Sequence, residues 1–135
     1  MKNFFIDKKI KRLGLVLILS CFALFFSAET VLADCTVNFS WLPNTESNIK
    51  GYKIYYGQTE GGSYPNSVDV GNPAPVNGRV NGTASGLVCG QQYYFVCVAV
   101  NDANIESNYS VEVAVIPTGA TNIQIPTVPG VEIIN

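Results

Sequence analysis

Apolar and polar positions alternate along most of the chain. Val37, Phe39 and Trp41 fall on one face of residues 36–41, and Asn38 and Ser40 on the other. Strict period two is the mark of a strand buried on one side. Residues 51–57 repeat it, with Tyr52, Ile54 and Tyr56 opposite Lys53 and Tyr55. Residues 92–101 give the longest run. There Tyr93, Phe95 and Cys97 share one parity, and Tyr94, Val96 and Val98 the other. Shorter strands are predicted over 67–70 and 79–84, and a last one over 109–116. Turn and loop chemistry separates them: Pro43-Asn44, Glu60-Gly61-Gly62-Ser63, Tyr64-Pro65-Asn66, the Pro73 and Pro75 stretch, and a polar loop over 102–108. Short strands between turns, with no sustained helical period, predict an all-β, antiparallel sandwich.

The first 33 residues break this pattern. Lys2, Lys8, Lys9, Lys11 and Arg12 precede an uncharged apolar run, Leu13 to Phe26, and Val31-Leu32-Ala33 offers small residues at a cleavage site. That order reads as an export signal cut near Ala33. A run of about 14 residues spans about 21 Å as a helix, short of a roughly 30 Å hydrocarbon core. An uncleaved N-terminal membrane anchor is the alternative, and a lipoprotein site at Cys21 a weaker one. Cleavage leaves a domain over 34–117, secreted, periplasmic or at the cell surface. The remainder, 118–135, follows Pro117, carries Pro126, Pro129 and Gly130, and reads as a flexible tail. Its Ile123, Ile125, Val128, Val131, Ile133 and Ile134 are more apolar than a solvated linker needs. They suggest cover for an exposed strand edge.

Leu87-Val88-Cys89-Gly90-Gln91-Gln92-Tyr93 leads into the longest strand. A tyrosine at the start of a penultimate sandwich strand caps the preceding corner through its hydroxyl. Four segments follow in order: 37–41 with Trp41, 51–56 with Tyr52, 87–101 with Leu87, Gly90 and Tyr93, and Ser107-Asn108-Tyr109-Ser110-Val111. Together they resemble a fibronectin type III domain, in the version found in exported bacterial proteins. The resemblance covers about residues 35–117. It implies an immunoglobulin-like sandwich with strands B, C, C′, E, F and G, Trp41 in the core and Tyr93 as corner tyrosine. It also implies a non-catalytic binding or spacer module. Two departures stand out: Cys89 replaces the usual corner proline, and strand A is short or absent, which leaves the edge of strand B bare.

The implied topology bears on the cysteines. Strands B and F run the same way, so Cys35 and Cys89 should share one end of the sandwich. Cys89 and Cys97 lie roughly 25 Å apart if extended, beyond disulfide reach. A Cys35–Cys89 bridge is expected, with Cys97 buried in the core; three free thiols are the alternative.

After residue 33, three basic residues (Lys50, Lys53, Arg79) face eight acidic ones. Nucleic-acid partners, which need a basic footprint, are disfavoured, and membrane contact is expected only through an uncleaved N-terminus. Histidine is absent from the whole chain. That excludes a Ser-His-Asp triad, a Cys-His pair and His-ligated zinc. Glu46 and Glu106 on neighbouring loops could pair as in a glycosidase, but a small sandwich offers no sheltered cleft, so no enzyme and no cofactor are expected. Asn44, Glu46, Asn48, Asp102, Asn104 and Glu106 are oxygen-rich, yet lack the spacing of a dedicated calcium loop. The remaining candidate is the outward face of strands C and F. Tyr55 and Tyr94, with Val96 and Val98, would form one exposed patch suited to polysaccharide rings or a protein partner. A monomer or weak self-association is expected. The alternative function is a structural subunit of a cell-surface assembly, joined through the bare strand-B edge and the tail.

Overall fold

The computed structural model describes residues 34–131; the export signal read over 1–33 lies outside the described residues, as do Ile133 and Ile134. Six strands form within or around the predicted runs and a seventh beyond them: β1 (Asp34–Trp41), β2 (Ile49–Gly57), β3 (Asn66–Gly71), β4 (Val80–Val88), β5 (Tyr93–Asn101), β6 (Val113–Val115) and β7 (Ala120–Gln124). They form two sheets, β4-β1-β7 and β3-β2-β5-β6. Among the described residues no helix is long and apolar enough to cross a membrane.

The inward parities interlock. Phe39 of β1 meets Phe95 of β5 at 4.9 Å between ring centroids, and Trp41 meets Tyr52 of β2 edge-on at 5.3 Å. Trp41, Ile54 and Val37 have no exposed surface. Removing one such side chain from water contributes about 1.5–3 kcal/mol. The Tyr52 hydroxyl ends in the core and accepts from Asn44 N–H at 2.9 Å. Burial raises its pKa.

The corner forms as its residues require. Gly90 adopts φ 78°, a left-handed turn that glycine takes without strain, and donates its N–H to Pro117 O at 2.8 Å. The Tyr93 hydroxyl accepts from Val88 N–H at 3.1 Å, so a backbone donor at the corner is not orphaned. Cys35 and Cys89 are joined, with Cα atoms 5.2 Å apart. Cys97 is a free, fully buried thiol, and burial pushes its pKa up to about 12.

Three expectations are corrected. The stretch after 117, read as a flexible tail outside the domain, supplies β7. It pairs with β1 in parallel, from Thr36↔Ala120 to Ser40↔Gln124, so the sandwich is not wholly antiparallel. Thr36 N–H donates to Gly119 O at 3.1 Å, and Ile125 N–H to Ser40 O at 2.9 Å. Beyond β7, Ile125 and Val128 are buried in the core, and Asn44 Nδ2 donates to Val128 O at 3.3 Å. Second, the β1 edge is therefore not bare: the apolar stretch after 117 supplies the cover that its composition suggested. The physical reason for both is the same: an unpaired strand edge and a set of apolar side chains outside the core are both costly, and each removes the other.

Third, the last strand is regular only over β6, opposite Tyr93, Tyr94 and Phe95. Upstream of it the chain still follows β5, but serine hydroxyls replace carbonyls. Ser110 and Ser107 Oγ accept from Cys97 N–H at 2.9 Å and Ala99 N–H at 3.0 Å. Their own N–H groups donate to Cys97 O and Ala99 O, each at 2.9 Å.

Candidate functional site

The outer face of the four-stranded sheet carries the densest polar and aromatic chemistry among the described residues. It begins with register. On β2, Lys53 lies opposite Val98 of β5 and Tyr55 opposite Val96. On the far side of β5 runs the serine-bonded segment. Side chains from β2 and from that segment meet over β5. Lys53 Nζ donates to Glu106 Oε1 at 2.7 Å. The Tyr55 hydroxyl donates to the same carboxylate at 2.9 and 3.1 Å. The Tyr55 ring meets that of Tyr109 at 6.0 Å, and Tyr109 meets Tyr64 edge-on at 5.5 Å. Tyr64 in turn donates to Glu112 Oε2 at 2.5 Å, and that oxygen also accepts from Gly61 N–H at 2.9 Å. The result is a row, Lys53–Glu106–Tyr55–Tyr109–Tyr64–Glu112, with three touching rings between two carboxylates.

The electrostatics follow from these contacts. Lys53 holds Glu106 below the usual carboxylate range, and Glu106 in turn raises Lys53. Partial burial, then the bond to Glu106, raises Tyr55. Burial and the bond to Glu112 push Tyr64 up to about 12. The Tyr55 and Tyr64 hydroxyls therefore stay protonated at neutral pH and act as donors. Because each bonded hydroxyl fixes its ring, a ligand stacking there loses little side-chain entropy. Tyr109 leaves 54 % of its surface exposed.

The expected patch is therefore corrected. Tyr55 belongs to the face, but Val96 and Val98 are buried, at 2 % and 0 % exposure. The Tyr55–Tyr109 contact crosses over Val96 and the Lys53–Glu106 pair over Val98, which closes both from water. Tyr94 is half-buried, lies opposite Gly57, and accepts from Gln92 Nε2 at 2.9 Å. The ring that meets Tyr55 is Tyr109.

Tyr109, Tyr64 and Glu112 were not among the sequence candidates. Tyr109 was visible only as a strand marker. Tyr64 carried no signal beyond its turn, since a loop between β2 and β3 brings it onto the face.

The oxygen-rich loops do meet at one end: Asp102 N–H donates to Asn48 O at 3.0 Å. The acceptors of Asn101 and Asn104 are engaged locally. Asn101 Oδ1 accepts from Ala103 and Ile105 N–H, at 3.0 and 2.9 Å, and Asn104 Oδ1 accepts from Lys50 Nζ at 2.7 Å. Among the described residues no three His, Cys, Asp or Glu side chains gather as metal ligands. Glu46 lines a groove with the segment after β7, whereas Glu106 is held by Lys53 and Tyr55.

Compared with known proteins, the chain matches no protein-family model and no curated protein.

Proposed function

We propose that the chain is an exported, non-catalytic binding module with a fibronectin type III-like, immunoglobulin-like sandwich. It presents the Tyr55–Tyr109–Tyr64 row to a polysaccharide or a protein at the cell surface or outside the cell. The observation that carries the reading is the row itself: three contacting rings on an outer sheet face, two of them pinned by carboxylates. Aromatic faces of this kind add about 0.5–1.5 kcal/mol per well-placed ring beyond buried area. The disulfide suits an oxidising compartment, and a chain without histidine lacks the commonest acid–base group.

The test is retention of the purified chain on insoluble polysaccharides and on immobilised envelope extract. Tyr109→Ala should abolish retention while the variant still unfolds cooperatively, because the Tyr109 ring lies on the outer face, 54 % exposed, and not in the core. Retention that survives both Tyr109→Ala and Tyr55→Ala would refute the reading. The rival, an assembly subunit joined through an open strand edge, is less supported, because β7 of the same chain occupies the edge of β1.

A further inference from the structure

We propose that the cavity between β2 and β3 is a subsite for one unit of a neutral polysaccharide, the rest of which lies along the tyrosine row. This rests on the reading of that row as a binding face. Two register irregularities flank the cavity, one with Lys50 as the extra residue of β2 and one with Val70 as the extra residue of β3. Against β5 the register shifts between Ile49 and Gly51, and against β3 between Tyr52 and Lys53. Residues three apart point to opposite faces of a regular strand, but an extra residue restores the parity. Lys50 and Lys53 consequently both line one cavity of about 270 Å³, together with Asp69 and Asn104. Its inner wall holds Gly51 against Gly71, where a Cβ on Gly51 would sit 2.9 Å from the Gly71 carbonyl. That volume is under the roughly 300–1,000 Å³ of sites for drug-sized ligands. It suits a single small polar unit.

The chemistry selects a polyhydroxyl group. Lys50 Nζ already donates to Asn104 Oδ1 at 2.7 Å and Lys53 Nζ to Glu106 Oε1 at 2.7 Å. Asp69 Oδ1 accepts from Gly71 N–H at 2.9 Å. An ammonium carries three donors and a carboxylate about four acceptor sites, so every one of these groups has capacity left. Donors and acceptors thus line one small cavity together, and a hydroxyl both donates and accepts. An anionic unit fits worse. The two lysines are offset by Asp69 and Glu106, and the acidic excess of the domain repels a polyanion. Lys53 belongs to both the cavity and the row, so the two are one surface: hydrogen bonds at one end and aromatic rings, inclined to one another, along the rest. A lone sugar in the cavity would leave the rings unused, whereas a chain of sugar units can reach both.

Native affinity electrophoresis tests this. The purified chain is run through gels containing galactomannan, xyloglucan or β-1,3-glucan as neutral polymers, and polygalacturonate or alginate as anionic ones. Retardation is expected in at least one neutral gel, persisting at high salt, and not in the anionic gels. Lys50→Met and Asp69→Asn should each weaken it by about tenfold, with thermal unfolding confirming that each variant is folded. Preferential retardation by the anionic polymers would overturn the proposal. So would neutral binding that folded Lys50→Met and Asp69→Asn variants retain, which would leave the tyrosine row as a site without this cavity. Retention of an envelope protein with no polymer bound would end the glycan subsite and spare the binding face. No retention of any kind would end both.

Discussion

Removing the Cys35–Cys89 bridge should cost the domain about 4 kcal/mol. The bridge closes a separation of 54 residues. On the chain-entropy relation that length contributes about 4 kcal/mol at room temperature, through fewer conformations of the unfolded chain. The folded chain gives little of it back, since β1 stays paired on both sides. Asp34↔Val88 and Cys35↔Leu87 hold it to β4, and Thr36 N–H holds it to Gly119 O. The double variant Cys35→Ala/Cys89→Ala should therefore fold and be less stable. Cys35 is 1 % exposed, so loss of its sulfur adds a small packing cost to the same total. For a domain of about 100 residues, 1 kcal/mol moves the midpoint by about 4–8 °C, which puts the drop near 20 °C. Urea unfolding of parent and variant, each with and without reductant, measures it. The reduced parent should coincide with the variant, and the variant should not respond to reductant. A difference below about 1 kcal/mol between parent and variant would refute the reasoning. It would mean that the unfolded chain is already restricted near residues 35 and 89.

Deleting residues 118–135 strips β7 from β1 and takes Ile125 and Val128 out of the core. At about 1.5–3 kcal/mol per side chain, urea unfolding should show a loss of at least about 3 kcal/mol, and light scattering should show association through the freed edge. Tyr93→Phe leaves Val88 N–H without its acceptor and should cost about 1 kcal/mol in the same assay. Glu106 has a lowered pKa, so its contribution is present above the ordinary carboxylate range and lost as pH falls through that lowered value. Lys53 has a raised one, so its contribution is present below the ordinary lysine range and lost as pH rises through the raised value. Glu106→Gln should flatten the acid limb of a stability–pH profile by less than about 1 kcal/mol, as for a surface pair. Cys97 should resist iodoacetamide in the native protein at mildly alkaline pH and react after unfolding, as read by peptide mapping.

The inward half of the fold was legible because burial leaves a period. Val37, Phe39, Trp41, Tyr52, Ile54, Phe95 and Cys97 alternate, and each is buried where its parity placed it. Gly90 and Tyr93 were legible because a corner needs those particular residues. The outward half was not, for two reasons. Parity says which way a side chain points, not what lies over it. Val96 and Val98 point outward and are still closed from water by pairs that span β5. Distance along the chain also hides contacts: Tyr64 and Tyr109 are brought together by a turn and an edge segment with no period of their own. β7 escaped for a third reason. Ala120–Gln124 is a polar pentapeptide whose strand character comes from the edge it meets, not from its own composition.

That edge explains how the two sheets divide their roles. β1 is held at its start by the bond from Cys35 to the corner at Cys89. It is held at its finish by Ile125, whose N–H reaches Ser40 O as its side chain enters the core. Both devices act on β1 of the three-stranded sheet. The four-stranded sheet needs neither. Its outer face instead spends polar groups on one another, Lys53 on Glu106 and Tyr64 on Glu112, which orients rings without filling the core. A substitution at Tyr55, Tyr109 or Lys50 should therefore change binding more than stability, and one at Cys35 or Ile125 the reverse. Such independence is the usual expectation for sites that share no partners. It lets a domain of this size, with so little core to spare, carry an exposed aromatic face.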